Sequence, residues 1–99
     1  MTDRHTIHVM ISGRVQHVWY RGWMVQQANT IGLDGWVRNR LGGKVEAIFY
    51  GPKDKVSELM TSCRKGPPAA AVDDISIVSA KTGDPYKLTG QGFEQRSTV

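Results

Sequence analysis

The hydrophobic pattern of this 99-residue chain switches between the period of a strand and that of a helix, which limits its possible folds more than any other feature. Residues 4–12 alternate with a period of two, predicting a strand whose buried face carries Ile7, Val9 and Ile11. Residues 14–20 follow Gly13 as a connector. From residue 21 the apolar positions follow a helical face that ends at Gly32, a residue that tolerates positive φ.

The middle of the chain predicts a hairpin and a second helix. Residues 34–41 and 44–50 are typical of strands, and the tight pair Gly42-Gly43 between them is a hairpin signal. Pro52 suits the first turn of a helix, and residues 66–68, Gly-Pro-Pro, end it. Between them, one helical stripe carries the apolar residues Val56, Leu59, Met60 and Cys63.

The last third adds a strand at residues 75–80, a polar loop at 81–91 and a possible short edge strand at 93–96. The order is therefore β-α-β-β-α-β with a possible fifth strand. Two helices cannot cover both faces of such a sheet, so we expect both on one face. The predicted class is α+β: a ferredoxin-like two-layer sandwich on an antiparallel sheet, forming a single domain over residues 1–99.

Composition excludes several classes of protein. Thirteen Lys and Arg against nine Asp and Glu give a net charge of +4, which favours anionic partners but is weak for a dedicated nucleic-acid binder. The single cysteine, Cys63, rules out an internal disulfide and a multi-cysteine metal site. No apolar segment suggests a signal peptide or membrane span. The default expectation is a cytoplasmic monomer without metal or cofactor.

The segment Gly13-Arg14-Val15-Gln16-His17-Val18-Trp19-Tyr20-Arg21 is the most informative for chemistry. It joins a strand to the start of a helix, where backbone N–H groups can converge on an anion with help from the helix dipole. An arginine at its end can bind phosphate oxygens bidentately. By spacing alone the signal is moderate, because only a minority of such junctions bind phosphate.

This segment resembles the acylphosphatase family signature, Gly-Arg-Val-Gln-Gly-Val-x-Phe-Arg. A second family motif is matched by Gly35-Trp36-Val37-Arg38-Asn39, followed by Gly43, Val45 and Gly51. Gly66-Pro67-Pro68-Ala69 and Phe93 also resemble family features, so the resemblance covers nearly the whole chain. Two departures lie in the first motif: His17 replaces glycine, and Tyr20 replaces phenylalanine.

The resemblance implies metal-independent hydrolysis of a small-molecule acyl phosphate to a carboxylate and phosphate. It places the phosphate against the Arg21 guanidinium and the loop amides, with phosphate-binding residues Val15, Gln16, His17, Val18, Trp19, Tyr20 and Arg21. It places Asn39 as the residue that orients the attacking water, a task that suits a neutral group able both to donate and to accept. A substrate phosphate oxygen taking the water's proton is our hypothesis, so no protein base is required.

His17 raises a second hypothesis, a phosphate-binding relative with weak activity. If this position needs positive φ, histidine is strained by about 1 kcal/mol. Its imidazole could also add charge to the site. Trp19, in the loop, is the one tryptophan expected to be partly exposed, where it could shield the phosphate or meet the acyl group.

A third hypothesis is a basic nucleic-acid-binding module on the same fold, with Phe49 and Tyr50 as its aromatic residues. Adjacent strand residues point to opposite faces, however, which disfavours a stacking platform. Taken alone, Arg21 would be a solvated helix-start arginine and Asn39 a turn residue. Only the two motifs together assign these two residues a functional role.

Overall fold

The computed structural model describes residues 3–99 and contains five strands and two helices. In chain order they are β1 Arg4–Arg14, α1 Tyr20–Ile31, β2 Asp34–Asn39, β3 Val45–Pro52, α2 Lys53–Lys65, β4 Ala71–Thr82 and β5 Phe93–Arg96. The predicted β-α-β-β-α-β order is confirmed, and so is the short fifth strand.

The sheet has the strand order β4-β1-β3-β2-β5. β1 pairs antiparallel with β3 and β4, and β2 pairs antiparallel with β3. β5 runs parallel to β2, however, so the prediction of a wholly antiparallel sheet is wrong and the sheet is mixed. The cause is the long connection after β4, which crosses from one edge of the sheet to the other and enters β5 in the direction of β2.

Side-chain carboxylates and amides hold this crossing connection in place. Asp84 accepts from the backbone N–H groups of Leu88 and Thr89, and Asp34 accepts from those of Gly90 and Gly92. The Asn29 carboxamide then exchanges two hydrogen bonds with the Phe93 backbone, at 3.1 and 2.9 Å. These bonds fix where β5 begins, and therefore which of its residues lie beside β2.

Both helices pack on one face of the sheet, as predicted, and bury the main core. The strands contribute Val9, Ile11, Val37, Val45, Ala47 and Phe49, and the helices contribute Met24, Ala28, Val56, Leu59 and Cys63. Burial of apolar area of this kind is the main favourable term in folding. Burial also raises the pKa of the Cys63 thiol to about 12, so this cysteine is an unreactive core residue.

Three strands extend beyond their predicted ends. β3 runs to Pro52, the residue that the sequence places in the first turn of the second helix, and α2 begins with the next residue. β1 continues to Arg14, and β4 begins at Ala71 because Gly13 pairs with Val72 and Arg14 with Ala71. Gly13 has φ +120°, and a Cβ there would overlap the Ala71 carbonyl oxygen, so only glycine permits this approach. β4 is an edge strand with mostly exposed side chains, which weakens its hydrophobic pattern.

The face opposite the helices carries a smaller apolar cluster of Trp36, Ile48, Tyr50 and Leu88. Phe49 faces the helices and Tyr50 faces this cluster, which confirms the prediction that the two point to opposite faces. Both rings are buried, so neither offers the exposed stacking surface that a nucleic-acid platform needs.

Gly35 in β2 provides a test of this close packing. Its φ is +139°, and a Cβ there would overlap the Ile48 carbonyl oxygen of the neighbouring strand. We expect Gly35→Ala to lower the free energy of unfolding by about 3 kcal/mol, from backbone strain plus the steric clash. Gly42 is the matched control: its φ is +99°, but no atom of the described residues lies within 4 Å of its added Cβ.

Gly42→Ala therefore isolates the strain, and we expect it to cost about 1 kcal/mol. Urea denaturation of the two variants measures both values. Equal losses in the two variants would contradict the proposed clash between β2 and β3.

Candidate active site

In the connection between β1 and α1, residues with left-handed backbone conformation alternate with residues of negative φ. His17 and Trp19 have φ of 62° and 64°, both in the left-handed region. The positive φ considered for His17 from the sequence alone is therefore present, whereas a positive φ at Trp19 was not considered. Such alternation turns successive N–H groups towards one side and forms an anion-binding concavity.

The N–H groups of residues 16–21 have no backbone or side-chain acceptor within residues 3–99. The first intrahelical bond runs from Trp23 N–H to the Trp19 carbonyl, at 3.0 Å. Unpaired donors at the start of a helix carry partial positive charge. This loop therefore presents a cluster of donors suited to an oxyanion.

Buried side chains anchor the loop to the core. Val15 and Tyr20 are almost fully buried, and Val18 packs against the same core. The Tyr20 hydroxyl donates to the Cys63 carbonyl of α2 at 2.7 Å. Burial, with a further contribution from Cys63, raises the pKa of Tyr20, so the hydroxyl stays protonated as a donor. The loop thus reaches its left-handed conformation while tied to both helices.

Arg21 lies in the first turn of α1, where a cation is electrostatically unfavourable unless an anion is close. Its guanidinium makes neither an ion pair nor a hydrogen bond with any other residue in the range 3–99. The side chain borders the same cavity as the loop. The Arg21 side chain thus lies beside the loop amides and has no partner in the described part of the chain.

Asn39 ends β2 and is 7% exposed. Its Oδ1 atom is buried without a hydrogen-bond partner in the described part of the chain. Its backbone carbonyl accepts from the Val99 N–H at 3.3 Å, so the C-terminal tail holds this end of β2. A buried polar oxygen normally has a partner, and an orphaned one beside a cavity indicates a bound water or ligand.

Glu46 fixes the residues on either side of Asn39. This buried glutamate of β3 accepts from Arg38 Nε at 2.8 Å, from Arg40 Nη1 at 3.0 Å and from His8 Nε2 at 2.6 Å. Burial alone would raise the pKa of Glu46, but the three hydrogen bonds outweigh it and lower that pKa overall. Both flanking arginines are held on the face of the sheet opposite the helices. The side chain of Asn39, between them, therefore lies on the face that packs against the helices.

Gln16 joins the loop to the same hairpin. Its Nε2 donates to the Arg40 carbonyl at 2.9 Å and to the Lys44 carbonyl at 2.8 Å. Both N–H bonds of one amide are thus used on the turn that follows Asn39. The side chain of Gln16 therefore sets the distance between the loop and Asn39.

These groups surround one cavity of about 180 Å³, lined by Val15, His17, Trp19, Tyr20, Arg21, Gly22, Asn39 and Gln95. The structure thus brings together Arg21, Asn39 and four more of the predicted loop residues. The side chains of Gln16 and Val18 point elsewhere, to the hairpin and the core. Sequence reasoning missed Gly22 and Gln95. Gln95 reaches the site only because β5 pairs with β2, a pairing that no local pattern indicates.

The sequence matches the family model described as Acylphosphatase over residues 7–94. Relatives named acylphosphatase include one from Rhizorhabdus wittichii, 46% identical over 97 residues that cover 98% of this chain and 93% of that protein. Another, from Rhodospirillum rubrum, is 47% identical over 94 residues, covering 95% and 98% of the two chains.

Among solved structures, an acylphosphatase from Coxiella burnetii is similar, with a TM-score of 0.79 at 31% identity. The alignment covers 95% of this chain and 94% of that one. Fold, motifs and relatives agree, and the chain belongs to the acylphosphatase family. The predictions of that family, and of a hydrolase within it, are confirmed. Within residues 3–99, no helix is long and apolar enough to cross a membrane.

The Glu46 cluster predicts a pH-dependent contribution to stability. Because the folded-state pKa of Glu46 is lowered, its contribution is full above the unfolded-state pKa of about 4.3 and is lost as pH falls through the lower folded value. We expect Glu46→Gln to cost about 1–3 kcal/mol at pH 7 and clearly less near pH 3. Urea denaturation at several pH values measures the difference.

Glu94→Gln is the control, because Glu94 is half-exposed and, within residues 3–99, pairs only with the exposed Arg96. We expect it to change the free energy of unfolding by less than about 0.5 kcal/mol at pH 7. A cost of Glu46→Gln that stays the same at pH 7 and pH 3 would show that the charge of Glu46 does not matter.

Proposed function

We propose that this chain hydrolyses acyl phosphates by binding the phosphoryl group in the β1–α1 loop and directing a water onto it from Asn39. The phosphate oxygens accept from the N–H groups of residues 15–21, and the Arg21 guanidinium binds them from the side of α1. The supporting observation is that residues of the loop, Arg21 and Asn39 line one cavity. Within residues 3–99 the loop amides, the guanidinium and Asn39 Oδ1 have no hydrogen-bond partner.

In this proposal Asn39 Oδ1 accepts a hydrogen bond from the water, whose oxygen attacks phosphorus. The bond between phosphorus and the acyl oxygen breaks, and the carboxylate leaves with the electron pair. The water's proton passes to a phosphate oxygen. Because the loop donors are fixed before substrate arrives, they stabilise negative charge without reorganising, the usual source of catalysis in phosphoryl transfer.

A carboxylate is a good leaving group, so the reaction needs no strong general acid. The cavity lining includes no Asp or Glu, the ligands that Mg²⁺ prefers, which supports a mechanism without metal. The proposal includes a small-molecule acyl phosphate as substrate, a monomer as the active form, and a cytoplasmic location.

The conformation of His17 favours an active enzyme over a weak phosphate-binding relative. At φ 62° its backbone lies in the left-handed region, which glycine adopts readily, so a histidine here is compatible with a loop shape that a glycine could also form. Its strain of about 1 kcal/mol reduces stability, not the direction of the donors. We therefore propose full rather than residual activity.

Benzoyl phosphate hydrolysis, measured with chelator present, tests the proposal. We expect Arg21→Ala to lower kcat/KM by on the order of a thousandfold, because it removes a charge-assisted contact to the transition state. Arg64→Ala, at an exposed arginine of α2 outside the cavity, is the matched control and should leave kcat/KM unchanged. Wild-type turnover abolished by the chelator would contradict the metal-free mechanism.

Asn39→Ala separates binding from chemistry. If Asn39 orients only the water, kcat should fall by on the order of a hundredfold while KM changes little. Inhibition by inorganic phosphate should be unchanged, since the loop donors remain. Turnover at the wild-type rate would refute the role of Asn39 in positioning water.

A further inference from the structure

Trp19 is the most exposed of the three tryptophans and lies at the edge of the anion cavity. Its side chain is 58% exposed, whereas Trp36 is buried and Trp23 is half-buried against the core. A single exposed apolar side chain is common on a protein surface, and Leu41 and Ile77 are others in this chain. What distinguishes Trp19 is that it also lines the cavity. Exposed aromatic residues at the rim of a cavity commonly contact a ligand.

The Trp19 ring is held in a defined place. The residue precedes α1 in the left-handed region, with its carbonyl bound to the Trp23 N–H. The indole lies over Gly22: a Cβ there would overlap Nε1 and come within 2.7 Å of Cδ1 and 3.1 Å of Cε2. Those atoms belong to the five-membered ring, so that part of the indole rests on the first turn of α1. Any side chain at position 22 would displace it.

The acyl group of the substrate must occupy the part of the cavity that the phosphoryl group leaves open. If the phosphoryl group occupies the loop amides and Arg21, the acyl group must extend towards the cavity mouth. The lining side chains not assigned to phosphate or water there include the indole of Trp19. A flat apolar surface stacks favourably on an aromatic ring and only weakly on a methyl group.

We infer that Trp19, seated on Gly22, is the residue that determines acyl specificity, selecting acyl phosphates with aromatic or other planar apolar acyl groups over small aliphatic ones. This inference rests on the proposed function, because it takes the phosphate position from it. The loop backbone and Arg21 bind what all acyl phosphates share, and the Trp19 side chain distinguishes among them.

The test compares kcat/KM for benzoyl phosphate with kcat/KM for acetyl phosphate in each variant. We expect Trp19→Leu to lower the benzoyl-to-acetyl ratio about three- to tenfold, the range expected for one aromatic pair. Trp19→Phe should keep the ratio within about twofold of wild type, because it retains an aromatic face. All three residues are L-amino acids at the same positive φ, so backbone strain is similar in the three proteins.

Tyr86→Ala is the matched control, an exposed aromatic residue in the connection after β4 and outside the cavity. It should leave the ratio unchanged. Inhibition by inorganic phosphate, measured in every variant, reports on the loop independently of the acyl group. An equal ratio in the Leu and Phe variants would overturn the inference while leaving the proposed function intact. Failure of the wild type to hydrolyse either substrate would overturn both.

Discussion

The site depends on a set of backbone N–H groups that the fold leaves unpaired. In most of a folded chain such groups are satisfied by strands, helices or turns, and leaving several unpaired together is unfavourable. Here β1 ends and α1 begins within a few residues, and two left-handed residues between them, His17 and Trp19, prevent the loop from satisfying its own donors. A bound oxyanion would provide the missing acceptors, so donors that are unfavourable to leave unpaired in the folded chain would be satisfied on binding.

Side-chain contacts made outside the cavity keep this arrangement in place. Tyr20 ties the loop to α2, and Gln16 ties it to the turn after Asn39. Glu46, on the far face of the sheet, holds the arginines on both sides of Asn39. The positions of the loop and of Asn39 are thus set by different contacts, and these contacts meet at the hairpin. Small displacements of reacting groups greatly reduce rate, so these supporting contacts matter for catalysis as well as for stability.

Much of the fold could be predicted because its signals are local. The period-two pattern of β1, the helical stripe of α2 and the Gly42-Gly43 turn each depend on neighbouring residues, and each matches the structure. The parallel pairing of β5 with β2 could not be predicted, since it depends on how residues 83–92 cross the sheet. The length of β4 was underestimated because an exposed edge strand has little hydrophobic contrast between its faces. Strand pairing is thus the part of this fold that local sequence determines least.

The site shows the same contrast between features set by local sequence and features set by long-range packing. Motif resemblance identified Arg21 and Asn39 from the sequence, and the structure places both at one cavity. Two features of the site became evident only from the structure. Gln95 lies at the cavity because β5 pairs with β2. The indole of Trp19 lies over Gly22 because of the left-handed backbone of this loop residue, which sets the direction of its side chain. A family motif specifies the residues that would bind the phosphoryl group, which every substrate of the family contains. These residues cannot change type without loss of the reaction. Residues at the rim can vary without loss of that chemistry, which is why substrate preference must be inferred from the geometry of the individual chain.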